Sequence, residues 1–224
     1  MKKLLVFLCA AAILFYASSA LATIYVPSYG ETGWQTYSYT PGGNWSGIVG
    51  LGVSDYGDME LESYLLIDNL VNGGLTSGFE SGDFTGYTVH GSGASVGSSA
   101  TSWAGTTYTP TEGSYMAILS SVNGDSGAST PVFGGTDGTY ITFDVTLTAG
   151  QTASFGWNFF TMDYAPFYDF AFLFAQDSSG DIVYSEKLAQ VVPEPATMLL
   201  LGSGLIGLAG FGRKKFKKFK SLDI

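Results

Sequence analysis

The chain has 224 residues, with nine Lys or Arg, nineteen Asp or Glu, one His and one Cys, and a formal net charge of −10. Eight of the nine basic residues lie near the two ends, so that the stretch from Thr23 to Val192 keeps only Lys187 against seventeen acidic residues. This stretch lacks the cations that meet nucleic-acid phosphates, which excludes nucleic acid as a partner. It is long enough for one domain with its own core.

The first 22 residues have the order of a secretory signal peptide. Two lysines precede an apolar run over residues 4–16, and Ala20-Leu21-Ala22 is a small-residue cleavage site. We therefore expect signal peptidase to cut after Ala22, with cleavage after Ala20 as the alternative. Cys9 leaves with this peptide, which excludes disulfides and thiol chemistry from the mature chain.

Residues 23–190 are predicted to form an exported domain that is almost entirely β-structure. Thr139 to Leu147 alternates apolar and polar residues, which is typical of a strand with one face on a core. Phe170 to Ala175 is apolar on both faces and is therefore predicted as a central strand. Turn-rich segments separate six further predicted strands, at Trp34–Tyr39, Ile48–Val53, Tyr64–Asn69, Tyr115–Leu119, Phe155–Phe159 and Ile182–Tyr184. Short strands at this spacing predict an all-β fold, a single β-sandwich of jelly-roll type.

Residues 191–220 have the character of a C-terminal membrane segment. The extended Pro193-Glu194-Pro195 is followed by an apolar helix, predicted at about 196–212, and by a basic cluster at 213–220. A helix of sixteen apolar residues spans roughly 24 Å, somewhat less than the hydrocarbon core, but snorkelling lysines lengthen the span. The sequence therefore predicts a transmembrane helix whose cytoplasmic end is fixed by Arg213, Lys214, Lys215, Lys217 and Lys218.

This order of Pro-Glu-Pro, short apolar helix and basic cluster resembles the PEP-CTERM sorting signal of Gram-negative bacteria. The resemblance implies recognition by an exosortase, a membrane cysteine protease, in a producer of exopolysaccharide or biofilm matrix. It also implies a route: export, transient anchoring in the inner membrane with the C-terminus in the cytoplasm, and release to the cell surface or beyond. A plain C-terminal anchor without processing is the alternative.

Two parts of the exported domain resemble the jelly-roll, carbohydrate-binding-module-like domains of PEP-CTERM proteins. One part comprises Gly78–Tyr87, Trp157–Tyr164 and Phe167–Phe172, and the other lies between Gly33 and Leu70. In related chains the second part follows the first, whereas here it precedes it, which favours a circularly permuted sandwich. An ordinary sandwich is the alternative.

The exported domain has few groups for catalysis. His90 is its only histidine and it has no cysteine, so that Ser–His and Cys–His sites and nitrogen- or sulfur-ligated zinc sites are not expected. A pair of carboxylates acting as a glycosidase is the enzyme alternative. We therefore expect a protein that is not an enzyme and requires no cofactor.

Exposed aromatic rings are the candidates for ligand binding. Flat rings stack on the apolar faces of sugars, which makes Trp34, Trp45 and Trp103 candidate glycan contacts, with core packing as an equal alternative. The resulting expectation is an exported surface or matrix protein that binds glycan, with exopolysaccharide as a partner. The alternatives are a secreted carbohydrate-active enzyme and a passive structural or adhesive shell protein.

Loop carboxylates are the candidates for a structural ion. Carboxylate oxygens are the ligands that Ca²⁺ takes, and such an ion would use some of Asp55, Asp58, Asp163 and Asp169. Solvated acids in turns are the simpler alternative.

Overall fold

The computed structural model describes residues 22–72, 75–76, 78–121, 130–192 and 203–206. The chain divides into two units, residues 1–192 and 193–224. The first unit contains all fourteen described strands, and residues 203–206 of the second unit are helical. The predicted all-β class is therefore confirmed.

One sheet of the first unit has six strands. They are β1 (Ile24–Val26), β3 (Trp45–Asp55), β6 (Thr88–His90), β11 (Asp137–Leu147), β13 (Phe170–Gln176) and β14 (Ile182–Val191). Their order across the sheet is β1-β14-β13-β3-β11-β6. β1 runs parallel to β14 and every other pair is antiparallel.

A second sheet lies against the first. It contains β2 (Gln35–Tyr39), β4 (Ser63–Asn72), β5 (Leu75–Thr76), β7 (Ala94–Gly97), β10 (Met116–Ser120) and β12 (Ala153–Thr161). The order is β2-β12-β4-β10-β7, with β5 paired to β4. A separate hairpin is formed by β8 (Ala100–Thr101) and β9 (Thr107–Tyr108).

The main core lies between the two sheets. Leu51 of β3, Ile67 of β4 and Trp157 of β12 are at most 1% exposed and pack in one cluster. β11 alternates as predicted, since Ile141 is fully buried whereas Asp144 faces solvent. Burial of apolar area is therefore the main stabilising term in an exported domain without cysteine.

The central position predicted for Phe170 to Ala175 is confirmed by β13, which lies between β14 and β3. Its Leu173 faces the main core, whereas Phe170, Phe172 and Phe174 form a second buried cluster with Val132. Both faces of β13 are therefore covered, which explains why its sequence shows no alternation.

Glycine in β3 makes room for this second cluster. A Cβ atom at Gly50 would overlap the ring of Phe174, and a Cβ atom at Gly52 would overlap Tyr140 and the ring of Phe172. Gly50 and Gly52 share one face of the strand, so that aromatic rings from the neighbouring strands lie directly on the backbone of β3.

Gly52→Val is expected to lower the free energy of unfolding by about 1–3 kcal/mol, because the new side chain overpacks the cluster of aromatic rings. Urea denaturation followed by tryptophan fluorescence measures this change. Gly42→Ala is the matched control, since a Cβ atom there meets nothing within 4 Å. Wild-type stability of Gly52→Val would contradict this description of the packing.

Candidate functional site

Several acidic residues meet at one end of the first sheet. β3 ends at Asp55, and because it is antiparallel to β11 and β13, Asp55 lies next to Asp137 and to the residues that begin β13. Asp169 directly precedes β13, and Asp163 follows the end of β12. Asp55, Asp163 and Asp169 are each 0% exposed. We call these three residues the carboxylate cluster.

Asp169 occupies the middle of the carboxylate cluster. Its Oδ1 accepts a hydrogen bond from the backbone N–H of Tyr56 at 3.1 Å, and its Oδ2 accepts one from the Ser63 hydroxyl at 2.6 Å. Its carboxyl group also lies close to the carboxyl groups of Asp55 and Asp163, whose charges raise its pKa. Asp169 therefore connects β3, β4 and the segment after β12.

The other two carboxylates are incompletely paired. Three buried oxygens accept no well-formed hydrogen bond from an N–H or O–H group of the described residues. They are both carboxylate oxygens of Asp55 and the Oδ2 of Asp163. The Oδ1 of Asp163 accepts one from the backbone N–H of Tyr164 at 2.6 Å. Buried oxygens that carry charge and lack donors are costly, so the carboxylate cluster requires protons or a cation.

Burial dominates the acid–base behaviour of the carboxylate cluster. It raises the pKa of Asp169 to about 9, and the charge of Asp55 adds to the rise. It raises the pKa of Asp55 to about 7, where the nearby Ser121 hydroxyl and Asp169 partly oppose the rise. The pKa of Asp163 is also raised by burial.

The one basic residue in the described ranges does not neutralise these acids. The Nζ of Lys187 donates to Oε1 of Gln190 at 3.1 Å and lies 4.5 Å from the centre of the Phe170 ring. Burial lowers the pKa of Lys187. The negative charge of the carboxylate cluster therefore has no protein counter-charge within the described ranges.

Three aromatic side chains lie exposed beside the carboxylate cluster. Trp103 is 64% exposed, and Tyr29 and Tyr164 are each 43% exposed. The Tyr29 ring is stacked with the ring of Trp103 at 5.8 Å between centroids and with that of Tyr164 at 6.0 Å. We call these three residues the aromatic platform.

The aromatic platform is fixed by backbone contacts from the residues around it. The N–H of Tyr29 donates to the carbonyl of Asp163 at 2.9 Å, and the N–H of Ala165 donates to the Ser28 hydroxyl at 3.2 Å. Tyr29 has a φ of 57°, a left-handed conformation that a bulky side chain adopts only where its surroundings impose it. The fold therefore maintains an exposed ring at a cost of about 1–3 kcal/mol.

The three tryptophans that the sequence offered as glycan contacts lie in different environments. Trp103 is on the turn of the β8–β9 hairpin and is exposed. Trp34 packs against the cluster of Leu66, Met116 and Phe160 on the outer face of the second sheet, and its Nε1 donates to the carbonyl of Thr109 at 3.2 Å. Trp45 begins β3 and lines an apolar cleft at the end of that strand opposite the carboxylate cluster. The structure therefore does not bring the three together.

Of the four proposed calcium ligands, the structure brings Asp55, Asp163 and Asp169 together. Asp58 lies at the margin: it is partly exposed, and burial raises its pKa, while its charge acts on both Asp55 and Asp163. Sequence reasoning missed Tyr29 and Tyr164 as partners of Trp103, since no local pattern reports a stack between residues 29, 103 and 164.

The predicted sorting residues lie outside the described residues. These are Ala20, Pro193, Glu194, Pro195, Arg213, Lys214, Lys215, Lys217 and Lys218, whereas Ala22 is described and is exposed just before β1. Of the helix predicted at about 196–212, residues 203–206 are described and are helical. Within the described ranges, no helix has the length and apolar character needed to cross a bilayer.

Comparison with known proteins identifies the C-terminal segment. The family model described as the PEP-CTERM protein-sorting motif matches residues 191–214. No curated protein and no solved structure matches the chain. The molecule is thus an all-β sandwich followed by a sorting segment. The chain carries a PEP-CTERM motif, which marks it as an exosortase-targeted protein of the cell surface or exterior, whereas the resemblance of its sandwich to carbohydrate-binding modules is not confirmed.

In the presence of EDTA, the stability of the protein is expected to fall as the pH rises from about 5 to about 9. The folded pKa values of Asp55 and Asp169, about 7 and about 9, exceed the unfolded value of about 3.9, so that the folded state binds the extra protons. The favourable contribution is complete below the unfolded pKa and is lost as the pH passes the folded values. The charges of Asp137 and Asp58 add to the rise of the pKa of Asp55.

Urea midpoints measured across this pH range check the expectation. Asp169→Asn is expected to flatten the slope because it removes one titrating carboxyl group. Asp144→Asn changes an exposed acid on β11 and is expected to leave the slope unchanged. A wild-type stability that rises with pH over this range would contradict the description of the carboxylate cluster.

Proposed function

We propose that this protein is a non-enzymatic surface or matrix protein that binds neutral glycan through the aromatic platform. The observation that carries the proposal is the exposure of Trp103 together with Tyr29, which stacks on it, and Tyr164, which stacks on Tyr29. Rings of this kind offer flat apolar faces to the C–H faces of a sugar, and the tyrosine hydroxyls offer hydrogen bonds. Most other large rings of the described domain are buried or pack against its buried clusters.

Charge favours a neutral glycan over an anionic one. Residues 23–192 carry seventeen acidic side chains and one basic side chain. This acidic surface would repel an anionic polysaccharide, whereas its charge would not weaken the stacking of an aromatic ring on a neutral sugar. The proposed partner is therefore a neutral stretch of exopolysaccharide in the matrix to which the sorting motif directs the protein.

The buried state of the acids supports a binding role over hydrolysis. A glycosidase needs two carboxyl groups that reach the scissile bond. Asp163 and Asp169 are close to each other and have raised pKa values, but both are 0% exposed. A sugar on the aromatic platform would not touch them without opening of the fold.

The C-terminal segment supplies the route in this proposal. Exosortase would cut near Pro193-Glu194-Pro195 after the tail has held the chain in the inner membrane, with the basic cluster in the cytoplasm. The signal peptide would have been removed before this step.

Replacing Pro193, Glu194 and Pro195 by Ala is expected to block processing, because the proposed recognition element is lost. Immunoblots of fractionated cells that express exosortase test this: wild type should give a shorter product outside the membrane fraction, and the variant a full-length membrane-bound band. Asp223→Ala, beyond the matched residues 191–214, is the control and should be processed normally. Normal processing of the triple variant would contradict the proposed route.

Trp103→Ala is expected to weaken binding of a neutral glycan about tenfold or more, because it removes the largest stacking face of the platform. A glycan array identifies the ligand and calorimetry measures the affinity. Tyr115→Ala is the matched control, since Tyr115 is 40% exposed and lies outside the platform. Full affinity of Trp103→Ala, or an equal loss in the control, would contradict the proposal.

A further inference from the structure

We infer that Asp55, Asp163 and Asp169 bind a calcium ion beneath the aromatic platform. This inference does not depend on glycan binding. It rests on the position, burial and missing partners of three side chains, and it assigns the carboxylate cluster a ligand.

The negative charge of the carboxylate cluster must be neutralised. The side chains of Asp55, Asp163 and Asp169 are fully buried, and the carboxyl group of Asp169 lies close to each of the other two. A buried carboxylate is stable only when it is paired, protonated or bound to a metal. Lys187 is engaged with Gln190 and the Phe170 ring, so that no basic side chain in the described ranges is available to pair with the cluster.

Several buried oxygens of the carboxylate cluster lack hydrogen-bond donors, which is an observation separate from the number of acids. Asp55 is 0% exposed and both of its oxygens lack a well-formed hydrogen bond from the described residues, as does Oδ2 of Asp163. These three oxygens lie within the carboxylate cluster, beside the carboxyl group of Asp169. These buried oxygens therefore need a proton or a cation to satisfy them.

The chemistry of the donors selects the ion. All of the groups are oxygens, and the nearby hydroxyls of Ser63 and Thr161 and the local backbone carbonyls are oxygens too. Ca²⁺ takes six to eight oxygen ligands in flexible geometry, whereas zinc prefers nitrogen and sulfur. His90, the one histidine, is stacked on Tyr140 at 4.2 Å on β6 and β11. Calcium sites of extracellular modules bind with Kd values of about 10⁻⁴ to 10⁻³ M, a range suited to an exported protein.

Binding of an ion requires the three side chains to rearrange. In the described ranges, no three or more His, Cys, Asp or Glu side chains already surround an ion-sized space. The carboxyl groups of Asp55 and Asp163 lie close to that of Asp169 instead, and in the absence of a cation protons neutralise this buried negative charge. Ca²⁺ would release these protons, and the three carboxylates would separate by a side-chain rotation to enclose it.

Asp163 couples the ion to the surface above. Its carbonyl accepts from the N–H of Tyr29, and its Oδ1 accepts from the N–H of Tyr164. An ion that fixes Asp163 would therefore also fix the two tyrosines of the aromatic platform.

Thermal unfolding of the full chain in detergent, at about pH 7.5, tests the inference. CaCl₂ at about a hundred times Kd is expected to raise Tm by about 5–10 °C relative to EDTA. Asp169→Asn should abolish this rise while raising Tm in EDTA, because an amide is neutral without taking up a proton on folding. Asp144→Asn should respond to CaCl₂ as wild type does. Trp103→Ala should also keep the response, which separates this inference from the proposed glycan binding.

Any of three results would overturn the inference. The first is an equal Tm in CaCl₂ and EDTA for wild type, which would leave protons as the neutralising partner. The second is an undiminished calcium response in Asp169→Asn, which would place the ion elsewhere. If Asp169→Asn does not fold, Asp55→Asn takes its place. Terbium luminescence of the wild type, excited through Tyr56 next to Asp55, gives a direct reading, and an emission that CaCl₂ does not displace also overturns the inference.

Discussion

The negative charge buried at the end of β3 is the constraint on which this end of the molecule depends. Asp169 accepts hydrogen bonds from the Tyr56 backbone and the Ser63 side chain, so that it joins both sheets, and it lies close to two further carboxyl groups. An exported domain with a single basic residue cannot neutralise these acids by ion pairs. Its stability must therefore respond to protons or to metal ions in the surroundings.

The surface beside the acids is organised by the same residues. Asp163 holds the backbone of Tyr29 and Tyr164, and Tyr29 stacks on Trp103 from the β8–β9 hairpin. Three segments far apart in the chain thus meet in one exposed aromatic surface. In the proposed function, this uncharged aromatic surface lies on a charge-sensitive support, which would link ionic conditions to glycan binding.

Much of the fold could be predicted from the sequence because its signals are local. The alternation in β11 correctly predicted a strand with one buried face, and the continuous apolar run of β13 correctly predicted a strand buried on both faces. The segment that contains Pro-Glu-Pro was matched by a family model. The site was only partly predictable. Asp55, Asp163 and Asp169 were selected by residue type, but their contact depends on strand pairing across more than a hundred residues. Trp34 and Trp45 were candidate glycan contacts because the sequence does not distinguish a tryptophan ring that packs against other side chains from one that is exposed to solvent.

The most direct test of this account is a crystal structure of the protein grown at about pH 7.5 with millimolar CaCl₂ and measured at a wavelength where calcium scatters anomalously. The account predicts an anomalous peak about 2.3–2.6 Å from oxygens of Asp55, Asp163 and Asp169, with Tyr29, Trp103 and Tyr164 stacked above it. Carboxyl groups that remain in direct contact, with no peak between them, would contradict it.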